Sequence, residues 1–282
     1  MRLFPGCTLS SSARPYRVSL DWLFDKLGLE LQELPDWNCC GATSAHALRR
    51  DLAYALPARN LAIAQELQQD LIVPCSACYS RLKLTQQALS QNERLRSRVG
   101  RLVGTRLEPD HLPAVRNVLE LLGDESLSKR VAGERTERLN GLKIACYYGC
   151  LLTRLPRVSG FASVENPQVM ERLVTAAGAE PVDWPLKTAC CGASLSVIQE
   201  AIALKLSTRI LDMARRCAAD LIVAACPFCQ YNLDHAQWRR RHADEQIPVI
   251  FITQLLGLAL GGDAGELMLS ANLVGAESLV KL

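Results

Sequence analysis

The chain reads as an α/β protein made of two pseudo-twofold-related, Rossmann-like repeats, and three observations predict this. Short apolar segments alternate with helix-period segments in one order, twice over. Ten of the twelve cysteines form two matching sets of five, and the interval from Cys40 to Cys75 equals that from Cys191 to Cys226, thirty-five residues. Each cysteine element falls at the carboxyl end of a predicted strand, the edge where open parallel sheets gather their sites.

In the first repeat a strand over Arg2–Pro5 runs into the turn holding Cys7. A helix near Arg14–Leu27, a strand over Leu29–Leu34 and the turn Cys39-Cys40-Gly41 follow. The glycine suits a crowded turn with positive φ. A helix over Pro57–Gln69, apolar at Leu61, Ile63, Ala64 and Leu67, leads to a strand over Asp70–Pro74 and to Cys75-Ser-Ala-Cys78. The second repeat has a strand over Leu142–Tyr148, then Cys150, a helix over Pro167–Ala177 and a strand over Glu180–Trp184. Cys190-Cys191-Gly192, a helix over Ile198–Ala218, a strand over Asp220–Ala224 and Cys226-Pro-Phe-Cys229 complete it. Leu112–Glu120 and Ile247–Leu255 close the halves alike. The polar stretch Gly123–Asn140 marks the expected boundary, with repeats at 1–130 and 141–282. Helices expected after Cys7, Cys78, Cys150 and Cys229 would direct N–H groups toward anionic sulfur. Five arginines within Gln91–Arg106 suit a solvated helix face, with partner docking as the sharper reading.

A net charge of +3 makes no case for nucleic acid. Cys7 comes too early for a signal peptide to precede it. The longest apolar run, Ile247–Leu260, is interrupted by Thr253-Gln254 and is too short for a membrane span. Clustered thiols without an export signal point to a reducing compartment and to metal or catalysis rather than disulfides. The expected location is the cytoplasm, with any membrane attachment peripheral and through partners. No G-x-G-x-x-G follows a strand and no compact C-x-x-C-x-x-C run occurs, so no flavin or NAD is expected in this chain.

Four chemistries compete for the thiols. Structural zinc takes four Cys or His ligands. Each half offers five cysteines, a Cys-Cys pair crowds one small ion, and His46, His111, His235 and His242 match no ligand spacing. A thioredoxin-like dithiol explains strand, C-x-x-C and helix, but leaves Cys7, Cys150 and both Cys-Cys pairs unused. A plain cubane uses four thiolates and leaves one spare. An iron–sulfur assembly whose adjacent pair reaches or bridges several irons uses all five. Cys146 reads as a buried inert thiol rather than a further ligand, and Cys217 as core. Trp22, Trp37, Trp184 and Trp238 read as packing.

Phe4-Pro5-Gly6-Cys7, Asn38-Cys-Cys-Gly41, Pro74-Cys-x-x-Cys-Tyr79, Tyr147-Tyr-Gly-Cys150, Ala189-Cys-Cys-Gly192 and Ala225-Cys-Pro-Phe-Cys229 resemble the motifs of the duplicated CCG-domain family. Within it the likeness is to the B subunit of heterodisulfide reductase. Ala58-Arg-Asn60 and Glu165-Asn-Pro167 also resemble family elements, so the likeness covers roughly residues 1 to 262. The resemblance implies a noncubane [4Fe-4S] cluster in each half. One would be held by Cys7, Cys39, Cys40, Cys75 and Cys78, the other by Cys150, Cys190, Cys191, Cys226 and Cys229. It further implies a disulfide reduced or formed between the clusters. Two partners are implied as well, resembling the other subunits of the same reductase. One is a ferredoxin-type protein with conventional [4Fe-4S] clusters, like the reductase's C subunit, and the other a flavoprotein, like its A subunit.

Disulfide reduction delivers two electrons to two sulfurs, which suits paired one-electron centres. The alternative is an electron-relay subunit of a CCG-containing flavin- or quinone-linked oxidoreductase; full occupancy of both motifs favours catalysis. No separate acid or base residue is compelled. Arg14 and Arg17 follow Cys7, Arg154 and Arg157 follow Cys150, and Arg81 and Lys83 follow the first C-x-x-C. Cations at helix starts are not explained by helix stability. The first four are therefore candidate donors to an anionic disulfide or sulfur-carrier thiol, against the plainer reading of solubilising surface charge.

Overall fold

Two four-stranded parallel sheets organise the chain, one in each repeat. The structure is a computed structural model that describes residues 1–42, 49–154, 160–240 and 246–276. In the first sheet β1 (Arg2–Leu3), β2 (Gln32–Glu33), β3 (Leu71–Val73) and β4 (Val115–Asn117) lie in the order β2-β1-β3-β4. In the second, β5 (Lys143–Tyr147), β6 (Glu180–Pro181), β7 (Leu221–Ala224) and β8 (Val249–Phe251) repeat it as β6-β5-β7-β8. The inner strands β3 and β7 are apolar and buried throughout, as strands covered on both faces by crossover helices must be. The α/β duplication read from the sequence is the fold observed.

Among the described residues the helices are α1 (Gly6–Leu9), α2 (Arg14–Lys26), α3 (Arg50–Glu66), α4 (Ser76–Gln91), α5 (Glu93–Val103) and α6 (Val118–Leu122) in the first half. Then come α7 (Glu125–Glu134), α8 (Cys150–Thr153), α9 (Val169–Ala176), α10 (Glu200–Arg216), α11 (Pro227–Arg240) and α12 (Ile252–Ala259). Several differ from expectation. α3 starts well before Pro57 and keeps that proline inside it. Proline is favoured at a helix start, which is why the sequence suggested one there. β2 and β6 shrink to two residues each, since only that much backbone reaches the neighbouring strand. The polar stretch between the halves contains α7, which buries Val131 and packs on α9. Arg130 ties α7 to the end of α2 by donating to the carbonyls of Leu27 (2.8 Å) and Lys26 (3.2 Å). α5 carries four of the five arginines on a largely exposed surface.

One apolar core runs through both repeats. Leu20, Leu23 and Phe24 of α2 share it with Leu255, Leu256 and Leu258 of α12, and the two helices pack together. Within that seam Ser19 Oγ and Thr253 Oγ1 lie 2.6 Å apart, each satisfying a hydroxyl that burial would otherwise penalise. The contacts nearest the cysteines are reciprocal. α4, which follows Cys75, packs on α8 of the second repeat, and α11, which follows Cys226, packs on α1 of the first.

Candidate metal-cluster site

In each sheet the chain leaves the two central neighbours in opposite directions, which opens a crevice at their carboxyl ends. Cys7 follows β1, and Cys75 follows its neighbour β3; Cys150 follows β5, and Cys226 follows its neighbour β7. The Cys-Cys turns arrive from β2 and β6, on the other side of β1 and β5. The helices do not wait for the cysteines to pass, as expected, but start at them. Cys7 and Cys150 lie inside α1 and α8, Cys75 is the N-cap of α4, and Cys78 and Cys229 occupy the first turns of α4 and α11.

Cys40 Sγ lies 3.0 Å from Cys78 Sγ, and Cys191 Sγ lies 3.6 Å from Cys229 Sγ. The amides of Gly41 and Gly192 donate to Cys39 Sγ and Cys190 Sγ at 3.4 and 3.3 Å. Both glycines have positive φ, +74° and +82°, as the crowded turn required. In both sets the second member of the pair and both C-x-x-C cysteines are buried, while Cys7, Cys39 and Cys190 are exposed and Cys150 is half-buried. Cys75 and Cys226 lie near enough that each shifts the other's thiol, so the two sets approach each other across the boundary between repeats.

Two glycines that the sequence reading quoted only within motifs are required by geometry. A Cβ on Gly6 (φ +64°) would stand 3.1 Å from Cys78 Sγ, and one on Gly149 (φ +73°) 2.7 Å from Cys229 Sγ. Their signal was available: a glycine precedes the lone cysteine in both repeats. Aromatic rings back the same turns, Phe4 against Trp37 (5.7 Å) and Tyr147 against Trp184 (6.1 Å). Tyr147 donates to the carbonyl of Ala189, just before Cys190, at 2.7 Å. Tyr16 is stacked on Phe251 at 4.4 Å and donates to the carbonyl of Ala225, just before Cys226, at 3.3 Å. Burial, then neighbouring thiolate charge, pushes both phenols up, so they stay neutral among the thiols.

Different anchors hold the two Cys-Cys turns. Buried Asn60 accepts from the Asn38 amide (2.9 Å) and donates to its carbonyl (3.0 Å), fixing the residue before Cys39. Ser207 Oγ and Asn232 Nδ2 donate to the carbonyl of Cys191 at 3.0 and 3.1 Å. The loop before Cys190 is tied down by Lys187, whose carbonyl accepts from the amides of Tyr148 (2.9 Å) and Gly149 (3.1 Å).

Charge is distributed unevenly. The contact with Cys78 holds Cys40 down at about 7 against burial, with the Ala42 amide and Arg81 assisting. The hydrogen bond with Cys150 holds Cys190 down at about 6, with the Gly192 amide and Arg154 assisting. Cys7 is pushed up by burial and then by Cys39 and Cys40. Arg154 also faces Glu165 at 3.5 Å. Arg17 is engaged by Asp21 (2.6 Å) and Glu33 (2.5 Å), and Arg14 is exposed at the start of α2. Arg157, His46 and His242 lie outside the described residues. Lys83 turns away to the carbonyl of Val115 at 2.9 Å.

Among the described residues no three Cys, His, Asp or Glu side chains converge as one metal ion would need. The donor set fits a larger sulfur-rich group: five soft thiols per crevice, with glycines standing where a Cβ would strike a thiol. The hydroxyls of Thr8 and Ser76, beside Cys7 and Cys75, are buried without an oxygen or nitrogen partner. Cys146 is fully buried in β5, with its thiol pushed up by burial, as an inert thiol would be. Cys217 caps α10 half-buried rather than lying in the core, because the helix ends there at the surface. Trp184 is packed inside, and Trp22 and Trp37 lie against the core, but Trp238 is about half exposed.

These features define a duplicated, cysteine-rich α/β domain with paired thiol crevices. The family described as "CCG: Cysteine-rich domain" matches residues 1–83 and 144–234, and the chain belongs to it. Membership implies iron–sulfur clusters. The chain is 32% identical to the 8-methylmenaquinol:fumarate reductase membrane anchor subunit of Wolinella succinogenes, over 98% of this chain and 97% of that one. It is 28% identical to the B subunit of the ferredoxin:CoB-CoM heterodisulfide reductase of Methanosarcina mazei, over 100% of this chain and 96% of that one. A crystal structure of a hypothetical protein from Helicobacter pylori shares the fold, with a TM-score of 0.77 and 15% identity. It covers 98% of this chain, which spans about half (52%) of the solved chain. No helix among the described residues is long and apolar enough to cross a membrane.

Proposed function

We propose that this chain is the iron–sulfur catalytic subunit of a heterodisulfide reductase-like complex in the cytoplasm, reducing or forming a disulfide between two noncubane [4Fe-4S] clusters. Cys7, Cys39, Cys40, Cys75 and Cys78 of the repeat at 1–130 would hold one cluster. Cys150, Cys190, Cys191, Cys226 and Cys229 of the repeat at 141–282 would hold the other. The observation that carries this reading is the reciprocal packing of each C-x-x-C helix on the other repeat's lone-cysteine turn, with Cys75 and Cys226 near enough to shift each other's thiols. When bound, the clusters would supply one electron each and Lewis acidity toward the two sulfurs.

The chain's own residues shape that site. Tyr16 and Tyr147 line it without adding negative charge, and Arg81 and Arg154 bring positive charge beside Cys40 and Cys190. Arg14 and Arg154 are the proposed anchors for an anionic disulfide or sulfur-carrier thiol. Arg17 would first have to leave its two carboxylates, and Arg157 completes the set read from the sequence. A ferredoxin-type [4Fe-4S] protein like the reductase's C subunit would deliver electrons from a flavoprotein like its A subunit.

The relative from Wolinella succinogenes favours a second reading, electron relay to a quinone partner. Anaerobically purified protein separates the two. About eight irons per chain are expected, from two four-iron clusters. Reduced protein mixed with an anionic disulfide should release thiol. Zinc with little iron would overturn both readings, and oxidation by a quinone analogue but not by a disulfide would establish the second. Arg154→Ala should weaken binding of the anionic disulfide roughly tenfold or more, the size of a lost charged hydrogen bond. Iron content should be unchanged; loss of iron would show that Arg154 supports the cluster instead.

A further inference from the structure

The short turn that leaves Cys191-Gly192 ends in exposed apolar side chains. Val197 is 96% exposed, Ile198 73% and Ile202, in the first turn of α10, 46%. α11 packs beside α10 and adds Tyr231 and Trp238, each about half exposed, with His235 stacked between them at 5.5 and 5.8 Å. Two contacts join the elements into one face. Ser196 Oγ meets Asn232 Oδ1 at 3.0 Å, and Arg239 meets Glu200 at 3.7 Å.

Single exposed apolar residues are ordinary, but a joined set of branched aliphatics and aromatics marks an interaction surface. Its composition chooses the partner. Within α10, Ile202, Lys205 and Arg209 are exposed at spacings of three and four, so one side of the helix runs from apolar to basic, with Ile198 just before its start. Arg239 follows Trp238, and Glu200 is matched by that arginine. Aliphatic tips that enter hydrocarbon, Tyr and Trp at headgroup depth and Lys/Arg beyond them match an anionic bilayer surface. A protruding Val197 with solvent on nearly every side suits a yielding medium better than a flat protein surface.

We infer that the face formed by Val197, Ile198, Ile202, Tyr231 and Trp238, with Lys205, Arg209 and Arg239 around it, docks this chain on an anionic phospholipid membrane. The attachment is then the chain's own, not one made only through partners. The face is also close to the second site: Asn232 joins Ser196 to the carbonyl of Cys191 (3.1 Å), so a docked chain would carry Cys191 near the lipid. The inference holds for either reading of the reaction, since it concerns binding and not turnover.

The full chain with its iron is to be sedimented with vesicles of phosphatidylglycerol and phosphatidylcholine, and with phosphatidylcholine alone. Binding to the anionic vesicles alone is expected, weakening as salt is raised, with a blue shift of tryptophan emission that Trp238→Phe removes. Val197→Glu with Ile198→Glu should abolish binding, and Lys205→Gln or Arg209→Gln should each weaken it about fivefold. Iron content and circular dichroism of the variants report folding, and Ile198→Ser gives a milder substitution at the same point. No binding at low salt, or binding untouched by the glutamates, overturns the inference. So does a purified partner protein that occupies the face and loses affinity with the same variants while vesicles are ignored.

Discussion

Replacing Gly149 with alanine is expected to empty the second cluster site while leaving the first filled. Gly149 sits at φ +73° and ψ 177°, a region open essentially to glycine alone, so alanine there costs about 1–3 kcal/mol in strain. The new Cβ would also stand 2.7 Å from Cys229 Sγ, a contact that only displacement of the thiol or the turn relieves. Cys229 is one of the five proposed ligands of that cluster. Iron and sulfide per chain after anaerobic reconstitution should fall to about half, as one of two four-iron clusters is lost. Gly6→Ala should lower occupancy of the first site less severely, since its Cβ meets Cys78 Sγ at 3.1 Å. Gly28→Ala separates strain from collision: its φ is +60°, but nothing lies within 4 Å of the added carbon. It should destabilise the fold slightly and leave the iron intact. Full iron in Gly149→Ala would remove Cys229 from the ligand set.

Much of this architecture was legible because a duplicated chain states its fold twice. Apolar strands such as Leu71-Ile72-Val73 and Leu221-Ile222-Val223-Ala224 recur at one spacing, and a parallel sheet follows from helices placed between them. The cysteines were visible for the same reason. The contacts that hold them in place were not, although Asn60 was quoted within a family element. Asn60 acts on Asn38 across twenty-two positions, and Tyr16 acts on Ala225 across 209, contacts that no local pattern announces. Trp238 was misread as packing because the chain does not state which side of α11 meets α10. Arg17 illustrates the converse: its spacing from Cys7 suggested an anchor, whereas Asp21 one turn on and Glu33 in β2 take up its guanidinium. Recurrence reveals what the repeats share, and the anchors of the two Cys-Cys turns differ, Asn60 in one and Ser207 with Asn232 in the other.

Lys187→Met should be among the most destabilising substitutions of a single polar residue. The ammonium is nearly inaccessible, 2.7 Å from Glu171 Oε1 and 2.9 Å from Asn166 Oδ1, and Glu171 Oε2 accepts from Tyr148 Oη at 2.5 Å. Methionine fills similar volume but leaves the Glu171 carboxylate buried without its counter-charge. Breaking one side of a buried pair costs about 3–5 kcal/mol. At about 2–4 °C per kcal/mol for a chain of this size, the melting temperature should drop by roughly 6–20 °C. The loss should be felt at the second site first. The Lys187 carbonyl accepts from Tyr148 and Gly149, and the same Tyr148 side chain binds Glu171, so the pair braces the turn that presents Cys150. On warming, iron should leave the variant in two steps, with about half released at the lower temperature. Adding Glu171→Gln removes the stranded charge and keeps an acceptor for Tyr148, so the double variant should recover most of the lost stability. Differential scanning calorimetry with iron release measured in parallel decides it. If the double variant melts no higher than Lys187→Met alone, the cost lies in packing around residue 187 and not in the unpaired carboxylate.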